Sequence, residues 1–249
     1  MSVCFESGNV VHYPSNPEKF SFDGEVAAIF PDMALRSIPM YHEVHRMHVS
    51  LLSSVWQRSA VKVVDVGASR GGFFKEICNQ LHVPTYSGSP NLDFIAVDCS
   101  GPMLGLLKSE MPWVQTVHAR AEELEPLEGK ADVICMLYVL QFVKEPLDKL
   151  RILHWAASSL KPGGVLLLGQ KDVTTETYGG MFTEEYYRFR ERNGYTRDEI
   201  VAKTRALRNS MWPSTPAWLE DMCVQAGFVD YAETTRWLQF STSICTVGG

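Results

Sequence analysis

The sequence predicts an open α/β fold, a doubly wound sheet of seven strands carried by a single domain that spans residues 1–249. Two observations predict it. Short β-branched runs alternate with segments of helical spacing, and those runs are apolar at successive positions, as strands buried on both faces must be. The first run also ends in a cluster of glycines at the point where a helix takes over, which is how such sheets build a ligand crevice.

The elements follow in order. Residues 1–20, with Pro14 and Pro17, read as an irregular lead-in. Residues 22–57 read as helical with breaks near Pro31 and Pro39, so residues 1–57 form an N-terminal helical cap. Val61–Val66 is the first strand, followed by a helix from Gly72 to Leu81, a polar loop from Pro84 to Leu92 and a second strand at Phe94–Val97. Ser100 and Pro102 form an N-cap and first-turn pair for a helix reaching Glu110. Strands are expected at Val114–Val117 and Asp132–Leu137. The amphipathic helix Pro146–Leu160 is stopped by a turn at Lys161-Pro162-Gly163-Gly164, and a fifth strand covers Val165–Gly169. Residues 174–213 break the rhythm as a helical insert. A last helix at 215–227 then leads to an antiparallel hairpin formed by 229–239 and 241–247.

Composition narrows the function classes. No run approaches the eighteen apolar residues of a membrane span, and the first twenty residues lack the basic start and apolar core of a secretory leader. The six cysteines contain no CxxC pair and read as free thiols of a reducing, cytoplasmic compartment. A net charge of −6 disfavours nucleic acid as the main partner, which points to a small-molecule substrate. His42, His45 and His48 recur every three residues. Such steps fan out around a helix, and no acidic or cysteine set accompanies them, so no metal site is expected.

The chemistry concentrates at the tips of the strands. In Val64-Asp65-Val66-Gly67-Ala68-Ser69-Arg70-Gly71-Gly72, glycines let the backbone approach a ligand and present N–H groups. The spacing is not that of the GxGxxG dinucleotide turn, and no P-loop lysine follows. Asp98 closes the second strand, where a carboxylate can accept both hydroxyls of a ribose; helix capping is the plainer role for an acid there. Tyr138 and Gln141 follow the fourth strand and are candidate catalytic groups. His42, beside Tyr41, is a candidate base at the pocket mouth, and Gln170, Lys171 and Asp172 end the fifth strand. The insert alternates arginines with acids, which most simply makes a solvated, ion-paired helical face. As a lid it would offer Arg205 and Tyr178, with Lys171, to an anionic or aromatic substrate.

The glycine turn resembles the first motif of class I S-adenosylmethionine-dependent methyltransferases, which implies that Rossmann-like fold and S-adenosylmethionine as cofactor. Further segments are Phe22-Asp23, Phe30-Pro31-Asp32-Met33, Arg36-Ser37-Ile38-Pro39-Met40-Tyr41, Leu140-Gln141-Phe142, Asn193-Gly194-Tyr195 and Ala226-Gly227-Phe228. Together they are similar to the carboxy-S-adenosylmethionine synthase family of the tRNA wobble-uridine pathway. That family forms homodimers and converts S-adenosylmethionine and prephenate to a carboxylated derivative of the cofactor.

The resemblance implies cofactor contacts at Tyr41, Gly67, Ala68, Ser69, Asp98 and Cys99, at Arg120 and Ala121 beside the adenine, and at Leu137. Three positions depart from the family. Arg120 stands where an acid meets the adenine amino group, and arginine cannot accept from it, so backbone or Glu122 must serve. Leu137 replaces an asparagine. Thr204 replaces the arginine that pairs with the extra carboxylate, and a hydroxyl cannot reproduce a bidentate guanidinium. Arg205 is adjacent but turned by about 100° on a helix. The departures favour a methyltransferase acting on a small metabolite over a synthase with a rearranged carboxylate site, and over a non-catalytic binding subunit of the same fold.

Overall fold

The sheet begins with Val61–Val66 (β1), whose β-branched residues are all buried. The computed structural model of the protein describes residues 24–249; the expected lead-in over residues 1–20 and the start of the predicted cap lie outside the described residues. β1 is flanked in parallel by Leu92–Asp98 (β2) and Ala131–Leu137 (β4). Gln115–His118 (β3) extends the sheet beyond β2, and Leu160–Lys171 (β5) extends it beyond β4. Phe228–Trp237 (β6) and Phe240–Val247 (β7) close the far edge as an antiparallel hairpin, giving the order β3-β2-β1-β4-β5-β7-β6. The strand order reverses between β1 and β4. The residues that follow these two strands, Gly67 and Tyr138, therefore flank the crevice that such a switch point opens.

Alternation along each strand sorts side chains into two cores. Val63, Val133 and Leu167 pack on one face with Phe73, Phe74 and Leu107. Those partners come from Gly72–Gln80 (α4) and Gly101–Glu110 (α5). Val64, Ile134 and Leu166 pack on the other face with Ile152, Leu153 and Leu219. Pro146–Ser159 (α6) and Pro216–Gln225 (α9) supply these. The cap comprises Gly24–Ser37 (α1), Tyr41–Leu51 (α2) and the short Ser53–Trp56 (α3). The insert comprises Glu176–Arg192 (α7) and Arg197–Leu207 (α8), the latter started by a reciprocal Thr196–Glu199 capping box. As expected, Ser100 caps α5 through the Met103 N–H at 3.3 Å.

Two local expectations are corrected. Pro31 does not break the cap: α1 runs through it, with Val26, Ala27, Met33 and Ala34 buried on either side of the proline. Lys161–Gly164 does not separate helix from strand, because β5 already begins at Leu160. There the register against β4 shifts, Gly163 takes φ +68°, and its N–H reaches the Gly248 carbonyl at 3.3 Å, so the turn residues form a bulge within the strand. The break at Pro39 is present, with Met40 in the left-handed region (φ 58°) ahead of α2.

Cap and insert meet above the strand tips. The Tyr186 hydroxyl donates to the Ser37 carbonyl at 2.9 Å. Tyr195 and Lys203 both reach the Ser37 hydroxyl, at 3.1 and 3.0 Å. The end of α1 is thereby fastened to both insert helices, which roof the C-terminal ends of β1, β2, β4 and β5. Among the described residues no helix is long and apolar enough to cross a membrane.

Candidate active site

Beneath this roof lies a cavity of about 570 Å³, within the range that takes a cofactor-sized molecule. Its floor is the glycine turn. Gly67 has φ +75°, and a Cβ there would stand 2.4 Å from Val139 Cγ2, so both the conformation and the close approach of the β4 loop demand glycine. A Cβ on Gly72 would lie 3.2 Å from the Tyr41 hydroxyl and 3.2 Å from the His45 ring, which bring α2 down onto the start of α4.

The turn differs from expectation in one respect. Its first amides are committed within the fold: Gly67 and Ala68 donate to the Val97 carbonyl at 2.8 and 3.0 Å, and Ser69 donates to Asp98 Oδ2 at 2.8 Å. The loop is pinned to the tip of β2, and what it offers a ligand is a close backbone surface. Asp98 also accepts from the Ser100 N–H through Oδ1 at 2.8 Å. Burial raises its pKa, while the Ser100 and Ser69 amides act in the opposite direction.

Apart from the Arg120–Glu122 ion pair, charge is divided along the cavity. At the β1–β2 end stand Asp65 and Asp98, both buried. Burial pushes the Asp65 carboxyl up to about 8; the Cys135 thiol opposes this by hydrogen bonding, and Asp98 adds to it. Burial, and then Asp65, raises the Tyr41 hydroxyl. At the opposite end stand Lys171 at the tip of β5 and Arg190 and Lys203 of the roof. Burial, and then Arg190, lowers the Lys171 ammonium to about 8. Burial, followed by Arg190 and Arg36, holds the Lys203 ammonium well below its ordinary value. Between the two ends lie Tyr138, buried with φ 64°, and Phe240, their rings edge to face at 6.4 Å.

Most of the residues singled out in the sequence line this cavity: Tyr41, Gly67, Ala68, Ser69, Asp98, Cys99, Arg120, Ala121, Leu137, Tyr138, Gln141 and Lys171. Gln141 is buried; its Oε1 accepts from the Lys171 N–H at 2.5 Å and its carbonyl accepts from the Trp212 N–H at 2.7 Å. It thus braces the tips of β4 and β5 against the insert. Arg120 Nε donates to Glu122 Oε1 at 2.6 Å, and both residues line the cavity, so an acid stands beside the arginine.

Five of the side chains singled out do not line the cavity. Gln170 and Asp172 are buried beside it, Gln170 Nε2 donating to Asp172 Oδ1 at 2.5 Å. His42 is exposed, whereas His45, three residues on, is buried against Tyr41 with ring centroids 4.5 Å apart. Burial, followed by the neighbouring His48 and His42, depresses His45 to about 3, so it is neutral at physiological pH. Arg205 is exposed, while Thr204 before it lines the cavity and donates to the Ile200 carbonyl at 2.7 Å. Tyr178 is 55% exposed near the start of α7 and stacks on Phe182. Asp65, His45, Arg190 and Lys203 line the cavity but were not singled out as site residues. Asp65 carried a signal, an acid inside an otherwise apolar strand. Arg190 carried none that separated it from the other arginines of the insert. Among the described residues no group of three His, Cys, Asp or Glu side chains is arranged to hold a metal.

A family model described as "Methyltransferase domain" matches residues 40–212. The chain is 30% identical over 234 residues to a carboxy-S-adenosyl-L-methionine synthase of Wolinella succinogenes, covering 93% of this chain and 95% of that one. It is 30% identical over 217 residues to the synthase of the same name from Trichodesmium erythraeum, covering 85% of this chain and 82% of that one. Among solved structures, it resembles a putative O-methyltransferase of Nostoc punctiforme with a TM-score of 0.60 over 90% of this chain. It also resembles human N-acetylserotonin methyltransferase in complex with S-adenosylmethionine, with a TM-score of 0.58 over 91%. The chain spans 59% and 56% of those two proteins, and at 15% identity to each the likeness is one of fold.

Proposed function

Because this chain belongs to the methyltransferase-domain family of S-adenosylmethionine-dependent enzymes, we propose that it binds S-adenosylmethionine in the cavity and methylates a small molecule. The observation that carries this reading is the pairing of the Gly67 cradle with Asp98. Asp98 lines the cavity and accepts backbone N–H groups from Ser69, Ser100 and Cys99. An ionised carboxylate offers about four lone-pair sites, so acceptor capacity is left for a ribose hydroxyl. Asp65 and Tyr41 suit the ammonium-bearing end of the cofactor, and Ala121 and Glu122 the adenine.

When bound, S-adenosylmethionine supplies a methyl group on a cationic sulfur; the acceptor's lone pair takes the carbon and the sulfur keeps the bonding pair. The residues act mainly by position. Tyr138 and Phe240 wall the path of approach, Gln141 fixes the tips of β4 and β5, and the roof excludes water. His45, kept neutral by burial, packs against the rings of Tyr41 and Phe73 and carries no charge into the site.

A second reading, formation of carboxy-S-adenosylmethionine, is favoured by the names of the relatives and opposed by Thr204. Mass spectrometry of whatever nucleoside the denatured protein releases distinguishes the two. S-adenosylmethionine or S-adenosylhomocysteine supports the methyltransferase, and the carboxylated nucleoside moves the assignment to the second reading. A protein that releases no nucleoside and does not bind added S-adenosylmethionine overturns both.

A further inference from the structure

The least satisfied group in the cavity is Arg190. Its side chain belongs to α7, is 2% exposed and lines the roof. Its Nε and Nη2 atoms are buried without a hydrogen-bond partner. These two nitrogens share one edge of the guanidinium plane, and their N–H bonds run parallel. That edge matches the two oxygens of a carboxylate better than any single acceptor. The plane is held in place by aromatic rings, with its central carbon 4.8 Å from the Tyr195 centroid and 5.5 Å from that of Tyr186.

A second cation faces the same space. Lys171 Nζ lies over the rings of Tyr186, at 4.7 Å, and Phe240, at 5.8 Å. The next acid in sequence, Asp172, is committed elsewhere, to Arg236 at 2.8 Å. Two neighbouring cations in a buried, ring-lined space are unfavourable until an anion joins them.

Resting on the methyltransferase reading, we propose that Arg190 and Lys171 form an anion subsite that takes the carboxylate of a small, flat acceptor acid, with the parallel Nε and Nη2 donors as its bidentate clamp. The acceptor's body then lies among Tyr186, Phe240 and Tyr138. This holds its other end toward the glycine turn. Thr204 lines the same cavity without supplying charge, so the anion is recognised from α7 and β5.

The test uses benzoate as the probe, with benzamide as its uncharged counterpart, titrated calorimetrically into the full chain saturated with S-adenosylhomocysteine. Benzoate binds, benzamide binds at least tenfold more weakly, and Arg190→Gln and Lys171→Gln each weaken benzoate at least tenfold. Both variants keep their affinity for S-adenosylhomocysteine within about twofold, which also reports that they are folded. Equal binding of benzoate and benzamide overturns the subsite without recourse to any variant. So does benzoate binding that survives both substitutions, exclusion of benzoate by S-adenosylhomocysteine, or tighter binding of inorganic phosphate than of benzoate. If S-adenosylhomocysteine does not bind but benzoate shows the stated pattern, the subsite stands and the cofactor assignment falls.

Discussion

Replacing Asp98 with asparagine tests the centre of the cofactor site, because one carboxylate there does two things. Oδ1 and Oδ2 each accept a backbone N–H at 2.8 Å, from Ser100 and Ser69. Asparagine keeps one acceptor oxygen and turns an NH2 group toward the other amide, so a donor faces a donor. Leaving one buried amide unpaired costs about 1–3 kcal/mol, and losing charge assistance at the other adds about 1 kcal/mol. Asp98→Asn is therefore expected to lower unfolding free energy by about 2–4 kcal/mol, read from urea denaturation. The ribose loses a charged acceptor worth about 1.5–3 kcal/mol, which corresponds to a loss of S-adenosylmethionine affinity on the order of ten- to hundredfold. Calorimetric titration at a temperature where the variant is fully folded separates the two effects. If stability falls as stated while affinity stays within threefold, Asp98 is only the brace of the loop and the ribose assignment is refuted.

Two further acids give predictions of opposite sign. Asp132 is buried between Lys161 and Arg58, both at 2.6 Å, and accepts the Lys62 N–H at 2.9 Å. Burial raises its pKa, but the bonds from Lys161, Lys62 and Arg58 outweigh that and hold it below the usual carboxylate value. An acid with a depressed folded pKa adds stability above the unfolded value, near 4, that is lost as pH falls through the folded one. Asp132→Asn is thus expected to cost about 1–3 kcal/mol near pH 7. In urea melts over pH 2.5–7 the gap to wild type should close below about pH 4; a gap that persists at acid pH contradicts the ion-pair account. Asp65 behaves the other way. Its folded pKa is raised to about 8, so it costs stability from the unfolded value upward, and the cost stops growing above about 8. Asp65→Asn should raise the melting temperature at pH 8 while weakening S-adenosylmethionine binding; a variant that gains neither stability nor a binding defect contradicts this placement.

How far the sequence could be read depended on whether local chemistry or tertiary docking decides a position. The run Val61–Val66 ending in Gly67, and Asp98 closing the next strand, are legible because a buried parallel strand and a left-handed turn each accept few residue types. Pro31 is a break signal in the sequence, yet α1 continues through it because residues on both sides of the proline, Val26, Ala27, Met33 and Ala34, are buried along the helix. Lys161–Gly164 misled because glycine after proline marks a turn and a bulge alike. The histidines of α2 share one helical spacing, and which of them faces inward is set by how the helix lies on Gly72: both His42 and His45 touch the Tyr41 ring, but only His45 is buried and lines the cavity. Arg190 is the extreme case. Its role depends on Tyr186 and Tyr195 closing around it after the insert folds back onto Ser37.

The backbone itself indicates where geometry was put ahead of stability. Three non-glycine residues, Met40, Ser69 and Tyr138, hold left-handed conformations around the cavity, with φ of 58°, 49° and 64°. Each costs about 1–2 kcal/mol relative to ordinary backbone. Met40 turns the chain so that Tyr41 begins α2. Ser69 brings its amide to Asp98. Tyr138, anchored by its N–H to the Gly169 carbonyl at 2.6 Å, bends the chain at the tip of β4 where its ring faces Phe240. These bends separate the acids beneath the glycine turn from the cations of the roof and leave an aromatic passage between them. Each buried charge is unfavourable alone, and a cationic sulfonium and an anionic acceptor are the pair of ligands that would relieve both ends at once. Binding energy gathered at the two ends would then hold the ligands' reacting atoms together beside Tyr138, and positioning of that kind is most of what methyl transfer requires of a protein.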